Sequence, residues 1–154
     1  MVRDYGQRLP YMMRMVSNAL SQDLERALRP FSLNHAQFAA LAQLGLEHPD
    51  GLSGAELGHR AGVTAQSMST AIASLLDRGL VVRTPHPTHG RILEVRITAE
   101  GRRLVERAQE AAKSVEDRAV AGLTPAQQDE LRALLRHMTR ILGLYVPEVR
   151  STTA

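Results

Sequence analysis

The chain has 154 residues, 44% of them hydrophobic, and a formal net charge of +3. That is one domain, long enough to bury a core and too apolar to be disordered, with a mild charge that hints at an anionic partner. Cysteine is absent, which excludes disulfides, cysteine-ligated zinc and thiol redox sensing.

Aromatic residues make up only 3%, so the core must come from Leu, Val, Ile, Met and Ala. The N-terminal MVRDYGQRLPYMMRMVSN is broken by charges and has no apolar signal region, and no run approaches a membrane span. The expectation is a soluble, cytoplasmic chain.

A first helix is predicted from about residue 6 to 29, with Leu9, Met12, Met13, Val16, Leu20, Leu24 and Leu28 at helical spacing and Pro30 as its stop. Asn34 with Gln37 is a capping-box pattern that opens a second helix, about 35–47, with Gly51 read as its stop. Ser53 with Glu56 repeats the pattern before the short third helix SGAELGHR, which Gly62 ends. Thr64 is the N-cap of a fourth helix, about 65–78, and Gly79 closes it.

The period then changes. LVVR (80–83) and ILEVRIT (92–98) alternate on a period of two, with Leu93, Val95 and Ile97 on one face and Glu94 and Arg96 on the other. Around the loop TPHPTHGR (84–91) these runs make a β-hairpin. Thr98 caps a fifth helix, about 99–120. Thr124, Pro125 and Gln127 open a sixth, about 125–145, striped by Leu131, Leu134, Leu135, Met138, Ile141, Leu142 and Tyr145. The tail STTA (151–154) is expected to fray, and no repeat or low-complexity tract is present.

Helix, turn, helix, hairpin is the order of a winged helix-turn-helix, in which the second short helix enters a DNA major groove. Helices one and six carry more apolar surface than one thin winged domain can cover, which points to a homodimer and hence to an inverted-repeat operator. The expected fold is mainly α with a small β-hairpin wing. It is a single domain over 1–154, with the winged region at 33–98 and dimerisation helices at 5–30 and 99–146.

LNHAQFAAL (33–41), LSGAELGHRAGVTAQSMSTAIASLLDRGLVVRTPHP (52–87) and RILEVRITAEGRRL (91–104) together resemble the MarR family of bacterial transcription regulators. The resemblance implies an obligate homodimer with interlocked terminal helices, flanking winged domains and a small-molecule crevice between them. The expected function is a sequence-specific DNA-binding repressor that a small aromatic or lipophilic effector releases.

The resemblance places Thr64, Gln66, Ser67, Ser69 and Thr70 of the fourth helix against DNA, where such side chains reach phosphates or base edges. Many family members have arginine at the position of Thr70 and another near Ser74. Here the charge must come from Arg60, Arg83, Arg91 and Arg96. Family wings carry Asp-x-Arg, whose arginine enters the minor groove. Arg91 aligns with that arginine and His89 stands in the place of the aspartate, where a protonated ring would add to the attraction.

His86 and His89 also raise a metal reading. Zinc wants about four ligands, or three and a water, and this loop offers two, so no metal or cofactor is expected. The expected effector-binding residues are Arg8, Met12, Met15, His35 and Phe38. No GxSxG, HExxH, P-loop or dinucleotide fingerprint occurs, and Glu56 and His59 have no evident nucleophile beside them, so no enzyme is expected. The competing reading is a winged fold reused to bind a protein partner, or an activator that needs no ligand.

Overall fold

A computed structural model describes residues 4–146, so the STTA tail lies outside the described residues. The element order is α1 (Leu9–Leu28), α2 (His35–Glu47), α3 (Gly54–Ala61), α4 (Ala65–Asp77), β1 (Val81–Pro85), β2 (Leu93–Ile97), α5 (Ala99–Ala119) and α6 (Pro125–Ile141). The strands form one antiparallel pair in which Val81 faces Ile97 and Pro85 faces Leu93. No helix among the described residues is long and apolar enough to cross a membrane.

Local hydrogen bonds start most of these helices. Asn34 accepts from the Gln37 amide and Gln37 returns the bond to the Asn34 amide, both at 2.9 Å. Thr124 and Gln127 do the same for α6. Each box satisfies N–H groups that the first helical turn leaves unpaired. Thr64 and Thr98 cap α4 and α5 by accepting from Ser67 and Gly101.

The third box forms only halfway. Ser53 accepts from the Glu56 amide at 3.1 Å. The Glu56 carboxylate turns away to Arg60, one turn on, because a charged partner is worth more than a backbone amide there.

Several boundaries also differ from the sequence expectation. A short 3-10 turn, Tyr5–Gln7, precedes α1, and Arg8 is extended, so the helix starts at Leu9 with Pro10 in its first turn. Helix α6 stops at Ile141 rather than near residue 145, because Gly143 adopts φ +67°.

Gly51 is not the stop of α2, which ends at Glu47 before a cis His48–Pro49 bond. Its role is close approach. A Cβ at Gly51 would lie 2.8 Å from Cγ of Arg96 and 2.9 Å from the Val95 carbonyl oxygen, so the α2–α3 loop can lie against β2 only with glycine there. Leu52 then pairs with Val95 as a one-residue third strand. Gly101 works similarly: its missing Cβ would sit 2.1 Å from the Leu80 carbonyl oxygen. The first turn of α5 therefore packs onto the α4–β1 hinge.

One continuous core joins α2, α3, α4, the hairpin and α5, with Leu41, Leu44, Leu57, Met68 and Leu75 fully buried. Each large aliphatic buried this way contributes about 1.5–3 kcal/mol. The hairpin breaks the expected alternation. Leu93 is exposed, whereas Glu94 is 8% exposed. The physical reason is the Gly51 loop, which covers the face that a two-stranded hairpin would otherwise show to solvent.

Candidate nucleic-acid interface

Helix α4 divides cleanly along its length. Met68, Ala71, Ile72 and Leu75 face the core. Gln66, Ser67, Ser69 and Thr70 are exposed, as is the cap Thr64. Gln66, Ser69 and Thr70 fall three and four residues apart, on one outward row. Ser74, by contrast, is half-buried and its hydroxyl accepts from Gln37 Nε2 at 2.9 Å, so it does not belong to that row.

Four arginines were expected to supply charge, and the structure separates them into two kinds. Arg83, on β1, and Arg91, beside β2, are exposed and make no side-chain hydrogen bond or ion pair among the described residues. Arg60 and Arg96 are committed inside the protein.

Arg60 donates to Glu56 Oε1 and to Glu47 Oε1, both at 2.7 Å, and lies 5.1 Å from the Tyr145 ring centre. The Glu56 hydrogen bond first, and Glu47 after it, raise its pKa above the ordinary guanidinium range against the opposing effect of burial. This side chain fastens α3 to α2 rather than offering its charge to a phosphate. Arg96 donates to Thr84 Oγ1, to the Pro49 carbonyl at 2.7 Å and to Glu94 Oε2 at 3.0 Å. It staples the hairpin to the α2–α3 loop.

The hairpin tip brings His86 and His89 together, the latter two residues before the exposed Arg91. The two rings stack at 5.1 Å between centroids. His89 is exposed. His86 has partners on both nitrogens. Its Nδ1 lies 3.1 Å from the backbone nitrogens of Thr88 and His89, and its Nε2 lies 3.4 Å from Glu94. The sequence places His86 in a wing-tip loop that offers too few ligands for a metal, without showing a role for its ring. Here the His86 ring plays the part that Asn or Asp side chains take in turns, accepting from amides two and three residues on.

The geometry is thus an uncharged polar helix face beside a hairpin that exposes two arginines. The sequence model of the MarR family matches residues 31–92. The HTH-type transcriptional repressor Rv2887 of Mycobacterium tuberculosis is 35% identical over 130 residues, which span 84% of this chain and 92% of that one. The chain belongs to the MarR family.

Solved structures of a MarR family member agree. Rv2887 in complex with salicylic acid is 34% identical, covers 90% of this chain and 99% of its own, and superposes with a TM-score of 0.72. The same protein in complex with DNA is 33% identical, covers 85% and 97%, and superposes with a TM-score of 0.69.

Against the MarR plan, two further surfaces stand out. The first is apolar. Leu9, Met12, Met15 and Val16 on α1 are exposed, and so are Leu131, Leu134 and Leu135 on α6 with Ile141 and Leu142 at its end. Helix α6 buries none of its residues.

The second is a cavity of about 240 Å³ at the start of α1, lined by Tyr5, Arg8, Pro10, Tyr11 and Arg14. The five residues expected to line an effector crevice are not gathered there. Arg8 lines it, Met12 and Met15 are exposed further along α1, His35 is exposed at the start of α2, and Phe38 packs against the core. Pro10 and the preceding 3-10 turn bring Tyr5, Tyr11 and Arg14 beside Arg8 in this cavity.

Proposed function

We propose that the protein is a homodimeric, sequence-specific DNA-binding transcription regulator: a repressor that a small aromatic or lipophilic molecule releases. The observation that carries this reading is the exposed row Gln66, Ser69 and Thr70 on α4, flanked by the exposed Arg83 and Arg91. Helix α4 lies in the major groove, where Gln66 can pair with adenine and the hydroxyls can reach bases or phosphates. Thr64 and Ser67 sit at the helix N-terminus, which favours phosphate. Arg83 contacts the backbone, and Arg91 with His89 enters the minor groove, whose negative potential attracts cations.

The apolar faces of α1 and α6 join two copies. A twofold pair presents its two α4 helices about one DNA turn apart, so the operator is an inverted repeat. The relative solved with DNA supports this reading, and the relative solved with salicylic acid supports an aromatic acid as effector. Arg8 beside Tyr5 and Tyr11 offers a guanidinium and two rings to such a carboxylate. The effector releases DNA by favouring a dimer whose reading helices no longer match successive grooves. The protein is a binding protein rather than an enzyme, and it acts in the cytoplasm, where its DNA is.

Fluorescence anisotropy tests the reading, with the DNA upstream of the protein's own gene, unlabelled random DNA as competitor, and a salt titration. The expected result is competitor-resistant binding that weakens steeply with salt. Binding that random DNA displaces equally well overturns it, and binding to a protein partner without salt dependence favours an interaction module instead.

A further inference from the structure

One side chain, His86, makes most of the side-chain contacts inside the hairpin tip. His86 follows the last residue of β1, and its backbone N–H donates to the Ile92 carbonyl at 2.8 Å, closing the loop. Its ring then does more than fill space. Nδ1 is shared by the backbone N–H groups of Thr88 and His89 and by the Thr88 hydroxyl, each at 3.1 Å. A nitrogen that accepts from two backbone amides carries no hydrogen of its own, so the ring hydrogen sits on Nε2. Nε2 lies 3.4 Å from Glu94 Oε1.

Glu94 in turn is anchored. Its other oxygen accepts from Arg96, and Arg96 donates to the Pro49 carbonyl in the loop that covers this face. The His86 ring therefore lies beside a carboxylate that Arg96 fixes to the head of the protein. Apart from the His86 ring, the loop from Thr88 to Arg91 is ordered among the described residues by one backbone bond, from the Ile92 N–H to the His89 carbonyl at 2.8 Å, and it carries a glycine at position 90.

We propose that His86 is the positioning residue of the wing: its ring sets the backbone of Thr88 and His89, and thereby the place from which Arg91 meets DNA. The proposal rests on the DNA-binding reading above. His86 itself need not touch DNA. Its contribution is to spare Arg91 the ordering cost that a loose loop would charge on binding.

The test is operator binding of the full-length protein and its variants, by anisotropy across a salt series. H86L removes the acceptor with a side chain of similar bulk. It is expected to weaken operator binding about tenfold and to lower the salt slope by about one, as loss of one cationic contact does. Its thermal midpoint should stay near that of the wild type, because the ring is part-exposed and outside the core cluster. H86N places Oδ1 where Nδ1 stands and is expected to restore binding.

In a double-mutant cycle, H86L added to R91A should cost little more than R91A alone. Amide exchange of Thr88 and His89, measured on the protein without DNA, should speed up in H86L and not in H86N. Wild-type affinity and slope in H86L, or additive effects of H86L and R91A, would overturn the proposal. Failure of the underlying DNA reading appears elsewhere: the wild-type chain itself would not select its operator, and this assignment would fall with it.

Discussion

Helices α4 and α6 are both amphipathic, both capped by a threonine, and end in opposite states. Helix α4 buries Met68, Ala71, Ile72 and Leu75, because α2 and α3 supply the opposing face within the same chain. Helix α6 buries nothing, and its Leu134 remains 56% exposed. The difference is not composition but whether the chain brings its own partner surface. Helix α4 finds its packing within the chain, whereas in the proposed dimer α6 finds it on a second copy, so the stability of the arms should follow protein concentration.

Substitutions can break this contrast. The largest effect should come from the head. Leu57→Ala opens a cavity at a fully buried site and should cost about 2–5 kcal/mol in urea unfolding. The loss should be the same at low and high protein concentration, because Leu57 packs within its own chain. An equal loss from Leu134→Ala would mean that α6 packs within its own chain.

Leu134→Glu puts a charge on the face that awaits a partner. Sedimentation should find monomers at concentrations where the wild type is dimeric. Operator affinity should fall about a hundredfold, since a single head grips one half-site. A dimeric, fully active Leu134→Glu would place the interface elsewhere.

Two arginines sharpen the contrast within the head. Arg91→Ala should weaken operator binding by about 1–3 kcal/mol and lower the salt slope by about one, with no change in thermal midpoint. Arg60→Ala should do the reverse. It removes the ties to Glu47 and Glu56, costs about 1 kcal/mol of stability because the pairs are only part-buried, and leaves the salt slope as it was. If Arg60→Ala changes the slope instead, its charge reaches DNA despite its partners.

These arginines also show where sequence reading stopped. In the sequence Arg91 is set apart by the wing pattern, but nothing local separates Arg60 and Arg96 from Arg83: all are basic residues in a protein short of charge on its reading helix. Arg60 looks available until α2 brings Glu47 beside it. Glu94 looks outward by strand parity until the Gly51 loop is laid over it. The half-formed box at Ser53 has the same origin, since Glu56 faces a choice that Arg60 decides. The role of His86 is hidden in the sequence because its partners, the amides of its own loop, carry no side-chain signal.

The sequence alone determined the helices, their caps, the switch of period that marks the hairpin, and the polar row on α4. All of these depend on residues three or four apart, or alternate ones along a strand, where the backbone itself sets the distance. Tertiary structure alone decided which charges remain exposed. Arg96 reaches the Pro49 carbonyl across 47 positions, and Arg60 reaches Glu47 across 13. A charge keeps its hold on solvent or DNA only if folding brings no closer partner to it, and that depends on every element at once.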